Sequence, residues 1–222
     1  MNQDLSTYYN DRAREYDKVY EIPDEQEDLL KSAVLFQNIF ADKSVLEIAC
    51  GTGYWTEKIS KTANSIFATD INEIVIDIAR TRKFNSNVVF QVADMNCLSI
   101  DKKFDGLFGG FIWSHILLQD LDNFLLRLKD LLNENAKIAF IDSKQVEGTN
   151  HDRKRITRID QYGNTFQTRT LENGTTHEVL KNFPSKQFLT DKLLQISTEV
   201  EIIELEHYWI ATSKTNGEKI RK

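Results

Sequence analysis

Short apolar runs alternate with amphipathic segments through the middle of the chain. The apolar runs have the composition of buried strands, whereas the segments between them carry apolar residues at helical spacing. Such alternation predicts a parallel sheet with helices on both faces. The predicted strands are Ser44–Ala49, Ser65–Ile71, Asn87–Asp94, Phe104–Gly110 and Ala136–Asp142. The predicted helices between them are Gly53–Thr62, Glu73–Phe84 and Leu121–Asn133.

The segments outside this alternation predict further elements. Helices are expected at Leu5–Tyr20 and Asp24–Phe40, the second opened by Pro23, which suits a first helical position. The segment 144–160 is polar and basic, which is typical of a solvated face and compatible with a helical arm. The C-terminal elements are a helix at Ser185–Ile196, capped by Ser185, strands at Val200–Glu206 and Tyr208–Ser213, and a frayed tail at Lys214–Lys222.

Composition and charge narrow the class of protein. The chain has 222 residues, of which 41% are hydrophobic and 28% are charged, ordinary values for a globular domain. A net charge of −6 argues against a broad surface for nucleic-acid phosphates. Cys50 and Cys97 stand at no metal-binding spacing, so we expect neither a metal site nor a disulfide framework. The sequence has no long apolar run, which predicts a cytoplasmic protein without a membrane segment.

The first predicted strand runs into a glycine turn, Gly51-Thr52-Gly53, and helical spacing begins at Tyr54. This order is the opening of a nucleotide-binding βαβ unit, where a side chain would hold the backbone away from a ligand. Asp70 ends the next strand, a position from which it can accept hydrogen bonds from ribose hydroxyls. Thr56 stands where the dinucleotide motif needs Gly or Ala, which weakens a pyrophosphate-binding interpretation. A tight turn in an unrelated α/β protein is the alternative.

Three motifs in order resemble those of the class I S-adenosylmethionine-dependent methyltransferases. They are Glu47-x-Ala49-x-Gly51-x-Gly53, Asp70-Ile71 and Ala93-Asp94-Met95, each at the end of a predicted strand. Ala49 departs from the usual first glycine of the family, a mild change because alanine is the next smallest residue. The resemblance covers most of the chain. It implies an α/β, Rossmann-like fold with a seven-stranded, mostly parallel sheet, helices on both faces and an inserted hairpin lid.

The resemblance also implies a site for S-adenosylmethionine. Asp94 would bond the adenine amino group and Met95 would lie on the ring, although core filling is the commoner use of methionine. Glu15-Tyr16-Asp17 matches an element that covers the cofactor in the family, and simple packing of an amphipathic helix is the alternative for Tyr16. The residues expected to bind the cofactor are Tyr16, Glu47, Ala49, Gly51, Gly53, Asp70, Ile71, Asp94, Met95 and Gly109.

The loop after the fourth predicted strand borders the transferred methyl group in this family. It begins with Gly109-Gly110, which permits close approach of backbone to ligand, and ends at His115. Because histidine titrates near neutrality, His115 is the candidate catalytic base or a donor to the substrate. A hydrogen-bonded structural histidine is the alternative. An acidic acceptor would already be ionised at pH 7, so His115 would then position the acceptor rather than deprotonate it.

Two β-rich runs, Thr165–Leu171 and Thr175–Phe183, flank Glu172-Asn173-Gly174 and predict a hairpin. With the N-terminal residues, it resembles a subgroup that includes a phosphonate O-methyltransferase, in which a hairpin Arg and Lys would hold the acidic group. Arg169 and Lys181 occupy the matching positions. The residues expected to bind substrate are Tyr9, Arg12, Trp113, Arg169 and Lys181.

The length of the hairpin loop decides which face each side chain occupies. A two-residue turn would pair Arg169 with Glu178 and point Lys181 to the opposite face. A three-residue loop with Gly174 in the left-handed region would place Arg169, His177 and Lys181 on one face, because a one-residue slip flips every side chain. An exposed hairpin with an ordinary Arg169–Glu178 ion pair is therefore the alternative to a basic substrate site.

The expected organisation is a single domain with four parts. They are an N-terminal helical cap at 1–43, a cofactor-binding core at 44–143, a substrate lid at 144–184 and closing elements at 185–222. The expected function is methyl transfer from S-adenosylmethionine to a small molecule, with an acidic acceptor and O-methylation implied by the subgroup resemblance. A methyltransferase acting on RNA or protein, or a catalytically silent cofactor-binding subunit, is the alternative. The oligomeric state does not follow from the sequence.

Overall fold

The computed structural model describes residues 12–145, 155–171 and 174–216. The strands are β1 (Ser44–Ile48), β2 (Ser65–Asp70), β3 (Asn87–Val92), β4 (Phe104–Gly110), β5 (Leu132–Ser143), β6 (Arg158–Ile159), β7 (Thr165–Thr170), β8 (Thr176–Leu180), β9 (Ser197–Glu204) and β10 (Tyr208–Thr215). The α-helices are α1 (Gln26–Ile39), α2 (Tyr54–Ile59), α3 (Glu73–Arg80), α4 (Leu121–Asp130) and α5 (Lys186–Leu193). Short 3-10 helices lie at Ala13–Tyr20, Pro23–Glu25 and Trp113–His115.

The main sheet has the strand order β3-β2-β1-β4-β5-β10-β9, seven strands within the described ranges. Strands β1 to β5 pair in parallel, and β10 runs antiparallel to both β5 and β9. From β1 the sheet continues with β2 and β3 on one side and with β4 and β5 on the other. A crevice opens at the carboxyl ends of β1 and β4, where the strand order reverses. The prediction of an α/β, Rossmann-like, seven-stranded and mostly parallel sheet is confirmed.

Apolar side chains cover both faces of this sheet. On one face, α1 and α2 contribute Phe36 and Trp55 to a buried cluster that includes Phe108 of β4. On the other face, α4 contributes Phe124 to a second cluster that includes Leu107, the neighbour of Phe108. Because successive strand residues are buried on opposite faces, the parallel strands read as continuous apolar runs in the sequence.

Several helices end earlier than predicted. α4 ends at Asp130 because the chain enters β5 at Leu132, which pairs with Phe104. The N-terminal helix ends at Tyr20 as predicted, but it is a 3-10 helix over Ala13–Tyr20. Ser185 caps α5 as predicted, since its hydroxyl accepts a hydrogen bond from a backbone N–H of the first turn. In the described residues, no helix combines the length and the apolar character needed to cross a membrane.

The predicted hairpin belongs to a second, small sheet with the order β6-β7-β8. Arg169 lies opposite His177, and the Leu171 N–H donates to the Thr175 carbonyl at 2.9 Å. Gly174 has a φ of 84°, the left-handed conformation that the three-residue loop requires. The register is therefore that of the three-residue loop, and the alternative with a two-residue turn is wrong.

The basic arm differs from the prediction where the structure describes it. Arg158–Ile159 is the short strand β6, paired with β7, and is not helical. The Arg158 guanidinium lies 3.6 Å from the ring centroid of Phe166 and pairs with Glu178, with 2.6 Å between Nη2 and Oε2. These contacts hold the segment in an extended conformation. The stretch 146–154 lies outside the described residues.

Candidate active site

A first cavity of about 600 Å³ opens at the carboxyl ends of β1, β2 and β4. The cavity lies where the strand order reverses, the usual ligand position in open α/β sheets. Of the residues expected to bind the cofactor, the following line it: Tyr16, Ala49, Gly51, Asp70, Ile71 and Met95.

Gly51 leaves part of the cavity wall without a side chain. Its φ of 53° lies in the left-handed region, which favours glycine. A Cβ at this position would lie 3.6 Å from Cε1 of the Tyr16 ring. Tyr16 comes from the N-terminal 3-10 helix, so that helix closes the cavity against the glycine turn, and a larger residue at Gly51 would take up the space between them.

The Asp70 carboxylate shapes the glycine turn from the end of β2. Its Oδ2 accepts the Gly51 N–H and its Oδ1 accepts the Asn72 N–H, both at 2.9 Å. Burial raises the pKa of Asp70, while these backbone donors limit the rise. Each carboxylate oxygen keeps a further lone pair, so Asp70 can hold the turn and still accept hydrogen bonds from a ligand in the cavity.

Glu47 lies beneath the turn, buried within β1 and outside the cavity lining. Burial raises the pKa of its carboxyl group to about 8, and the nearby Asp70 carboxylate adds to the rise. Its Oε2 has no hydrogen-bond partner among the described residues. A buried acceptor of this kind is satisfied when a polar ligand or ordered water reaches it.

Two of the predicted glycines serve packing. A Cβ on Gly53 would lie 3.0 Å from Cβ of Ala79 in α3, and the φ of 78° is left-handed. A Cβ on Gly109 would lie 2.8 Å from the ring of Phe140, so this glycine admits a buried aromatic side chain. Gly110, and not Gly109, lines the first cavity. The expected cofactor contact at the end of β4 therefore moves from Gly109 to Gly110.

The third motif enters the cavity through its flanking residues. Ala93 and Met95 line the first cavity, whereas the Asp94 Oδ1 accepts the backbone and side-chain N–H groups of Asn96, both at 2.9 Å. Phe111 also lines the cavity, although the sequence did not indicate it as a site residue. Its φ of 57° turns the chain after β4, a conformation that the residue type does not signal.

A second cavity, of about 810 Å³, adjoins the first. Tyr16, Phe111 and His115 line both cavities, so the two spaces meet at these side chains. Among the described residues, Arg169 and Lys181 also line the second cavity, together with Arg12. Arg169 and Lys181 therefore lie on one face of the hairpin, beside His115, as the three-residue loop predicts.

Lys181 has a protein partner that the sequence did not indicate. Its Nζ lies 2.7 Å from Oδ1 of Asp142, with side-chain exposures of 7% and 0%. Asp142 also accepts the backbone N–H groups of Ser114 and Ser143 at 3.0 and 2.7 Å. Although burial opposes it, the Lys181 ammonium holds the pKa of Asp142 below its usual range. Lys181 therefore joins β8 to β5 through an ion pair, and its charge is already balanced within the protein.

His115 is buried and neutral at pH 7. Its Nδ1 lies 2.5 Å from the Leu180 carbonyl oxygen, and because a carbonyl only accepts, Nδ1 carries the proton. Burial and, to a smaller extent, the Lys181 ammonium together lower the pKa of the imidazole to about 3, although the Asp142 carboxylate opposes them. The prediction that His115 titrates near neutrality is wrong, and the geometry suits positioning rather than deprotonation.

Trp113 and Tyr9 are two of the residues expected to bind substrate. Trp113 is buried in the core, with its ring edge-to-face against Phe140 and Trp209 at centroid distances of 5.1 and 6.0 Å. It lies outside both cavities, because the 3-10 helix after β4 turns it toward the sheet, so the substrate-contact prediction is corrected. Tyr9 lies outside the described residues.

The chain is similar to proteins of known family and structure. Residues 45–135 match a family model described as a methyltransferase domain. DhpI in its complex with S-adenosylhomocysteine superposes with a TM-score of 0.77 and 24% identity, covering 97% of each chain. The DhpI–SAM–HEP complex gives a TM-score of 0.75 and 25% identity, covering 96% of this chain and 99% of that one. Residues 45–135 therefore match a methyltransferase domain, and the chain has the fold of the class I S-adenosylmethionine-dependent methyltransferases.

A curated protein from Bacillus cereus is similar to part of this chain. It is a malonyl-[acyl-carrier protein] O-methyltransferase, 38% identical over 88 residues. The match covers 38% of this chain and 33% of the relative, so this chain matches about a third of the relative's length. The likeness is therefore confined to part of each protein.

The residues of the first cavity fit S-adenosylmethionine, the cofactor of the class I methyltransferases whose fold this chain shares. Gly51 presents backbone where a Cβ would narrow the cavity, and Asp70 presents a buried carboxylate with remaining acceptor capacity. A nucleoside with vicinal hydroxyls and a cationic amino-acid end is complementary to such acceptors.

The raised pKa of Glu47 predicts a pH effect on the stability of the protein without cofactor. The unfolded chain loses this proton near its ordinary pKa of 4.5, whereas the folded protein keeps it up to a pKa of about 8. Stability therefore falls as pH rises between these values. Glu47→Gln removes this dependence, so its stability relative to wild type should rise by about 1 kcal/mol between pH 6 and pH 7.

Urea unfolding of both proteins at the two pH values measures this difference. A parallel pH dependence of Glu47→Gln and wild type would contradict the raised pKa.

Proposed function

We propose that this chain transfers the methyl group of S-adenosylmethionine to an oxygen of a small acid. The observation that supports it best is the meeting of the two cavities at Tyr16, Phe111 and His115. The first cavity has the features of a cofactor site, and the second is lined by Arg12 and Arg169. A methyl group on a sulfonium is electrophilic, and an acid oxygen is already ionised at pH 7 and needs no base.

The roles of the residues follow from this arrangement. Asp70 and the glycine turn hold the cofactor, and Tyr16 covers it. Arg12, Arg169 and Val179 line the space for the acceptor. His115 positions the acceptor and excludes water, since its neutral, buried imidazole is a poor proton acceptor. Catalysis by these residues rests on proximity, orientation and exclusion of water rather than on covalent chemistry.

Arg169 is the residue to which we assign the acidic group. It lines the second cavity, and its Nη2 donates to Oε1 of the buried Gln167 at 2.6 Å. This contact orients the guanidinium, whose planar fork matches a carboxylate or phosphonate. Lys181 is already paired with Asp142 and is therefore a weaker ligand than the sequence suggested.

The name of the curated relative supports an acidic methyl acceptor and suggests a second candidate for that acceptor. The relative's name places a malonyl group, an acid, on a carrier protein. An acid attached to a carrier could therefore replace a free acid as the acceptor of this chain. The two candidates share the same chemistry at the methylated oxygen.

Transfer of label from methyl-labelled cofactor tests the proposed function. The acceptors to be compared are free carboxylic and phosphonic acids, matched amines, an acyl-carrier protein bearing a diacid, and RNA. We expect label in the free acids, as esters; carboxylate esters release it with alkali. Label in amines or RNA alone would overturn the proposal, and label in the carrier alone would select the second candidate. Cofactor binding without any transfer would identify a silent subunit.

Asp70→Ala tests the cofactor site separately. It removes an acceptor for the ligand and the two backbone contacts of the turn, so we expect weaker binding of S-adenosylhomocysteine by roughly 1–3 kcal/mol. Isothermal calorimetry measures the change. Asp77→Ala is the matched control, because Asp77 lies exposed on α3 and pairs with Arg80. Equal affinities of Asp70→Ala and wild type would contradict the assignment of Asp70.

A further inference from the structure

Arg82 follows α3 and contacts three separate parts of the chain. Its Nε–H donates to the Thr52 carbonyl at 2.6 Å, within the glycine turn. Its Nη1 donates to Oε2 of Glu57 in α2 at 2.8 Å, and its Nη2 donates to Oδ2 of Asp17 at 2.5 Å. One guanidinium therefore joins the turn, α2 and the N-terminal 3-10 helix in a fixed geometry.

The second oxygen of Asp17 strengthens the same connection. Oδ1 of Asp17 accepts a hydrogen bond from the Thr52 hydroxyl. Asp17 is adjacent to Tyr16 in a short 3-10 helix, so the position of one side chain constrains the other. At the end of this helix, Tyr20 stacks on Tyr54 with ring centroids 3.7 Å apart. The helix that carries Tyr16 is thus attached at both Asp17 and Tyr20.

The glycine turn is shaped to receive Arg82. A Cβ on Gly53 would lie 3.4 Å from Cδ of Arg82 as well as 3.0 Å from Cβ of Ala79. The Arg82 side chain is only 19% exposed, so its stem is packed and its head is held by three acceptors. Packing of the stem reduces the entropy cost of holding a long side chain in one conformation.

We propose that Arg82 is a positioning residue that keeps Tyr16 over the first cavity and so sets the lifetime of the bound cofactor. Arg82 lies outside the lining of that cavity and acts through Asp17 and the Thr52 carbonyl. The inference rests on the proposed function, because it takes the first cavity as the cofactor site. Since Asp17 and Glu57 are 42% and 30% exposed, salt should weaken this attachment.

Dissociation of S-adenosylhomocysteine from the full chain, followed by displacement in a stopped-flow instrument, tests the inference. We expect Arg82→Ala to raise the dissociation rate about tenfold, the effect of losing a charged hydrogen bond. KM for the cofactor should rise while kcat at saturating cofactor stays close to wild type. Arg82→Lys should restore the rate only in part, because an ammonium lacks the fork.

Two comparisons separate positioning from a general effect on folding. Arg80→Ala is the matched control, because Arg80 is exposed and pairs with Asp77 on the same helix, and its dissociation rate should equal that of wild type. Asp17→Ala combined with Arg82→Ala should add little to either single variant, since both break one connection. Higher salt should accelerate dissociation from wild type more than from Arg82→Ala.

The outcomes distinguish this inference from the proposed function. If wild type does not bind S-adenosylhomocysteine, the cofactor site itself fails. If wild type binds and Arg82→Ala releases the ligand at the wild-type rate, the positioning role of Arg82 is overturned. Should Arg82→Ala not fold, Asp17→Asn replaces it, since it keeps the shape and removes the charge; a wild-type dissociation rate in that variant would also overturn the role.

Discussion

Lys181→Met is expected to lower the free energy of unfolding by roughly 3–5 kcal/mol, because it leaves a buried carboxylate without its partner. The Nζ of Lys181 lies 2.7 Å from Oδ1 of Asp142, and both side chains are almost fully buried. The N–H groups of Ser114 and Ser143 remain as donors to Asp142, but they do not supply a compensating charge. The stranded charge therefore carries most of the expected loss.

Urea unfolding at pH 7 measures this loss, and a double variant provides the control. Lys181→Met combined with Asp142→Asn removes both charges and should recover part of the stability. In wild type the pKa of Asp142 is lowered, so its contribution is present above the unfolded pKa and is lost as pH falls through the folded pKa. Without Lys181, burial raises that pKa, so the gap between variant and wild type should narrow in acid. A loss below about 1 kcal/mol, the range of exposed pairs, would show that the pair is solvated.

Arg169→Ala is expected to reduce kcat/KM for an acidic acceptor about 10- to 150-fold, which corresponds to roughly 1.5–3 kcal/mol for a charged hydrogen bond. Arg169 lines the second cavity, beside His115 and opposite His177 in the hairpin. Arg169→Lys keeps the charge but loses the planar fork, so it should also reduce kcat/KM. Affinity for the cofactor should be unchanged, because Arg169 lies outside the first cavity.

Steady-state kinetics with the best acid from the acceptor comparison measure this effect. Arg158→Ala is the matched control, because Arg158 lies in the same small sheet, is 44% exposed and pairs with Glu178. It removes the same charge from the same sheet and should leave kcat/KM close to wild type. Equal losses in the two variants would point to a general electrostatic effect, and an unchanged Arg169→Ala would remove the acidic-acceptor proposal.

The turn of the hairpin shows where local sequence reasoning stops. Asn173-Gly174 is compatible with a two-residue turn, and Glu172-Asn173-Gly174 is compatible with a three-residue loop. The structure has the register of the three-residue loop. In this register Gln167 and Val179 lie opposite each other and are buried on the face that carries Arg169. A slip of one strand by one residue would turn its side chains to the other face and separate Val179 from Gln167.

The N-terminal segment shows a similar limit. Tyr16 could be placed near the cofactor only by resemblance, since its spacing also suits ordinary packing. The structure places it between the glycine turn and both cavities, and Asp17 is tied to Arg82, 65 residues away. No local pattern signals that Arg82 has three acceptors, because each comes from a different element.

The sequence by itself determined the sheet, its order of elements and the strand ends that surround the first cavity. Continuous apolar runs, the glycine turn and Asp70 are local signals of backbone conformation and burial, so they can be read along the chain. Only the tertiary structure decided that Lys181 pairs with Asp142 and that His115 stays neutral. Ion pairing and desolvation depend on which distant groups share a low-dielectric interior, and that information exists only once the chain has folded.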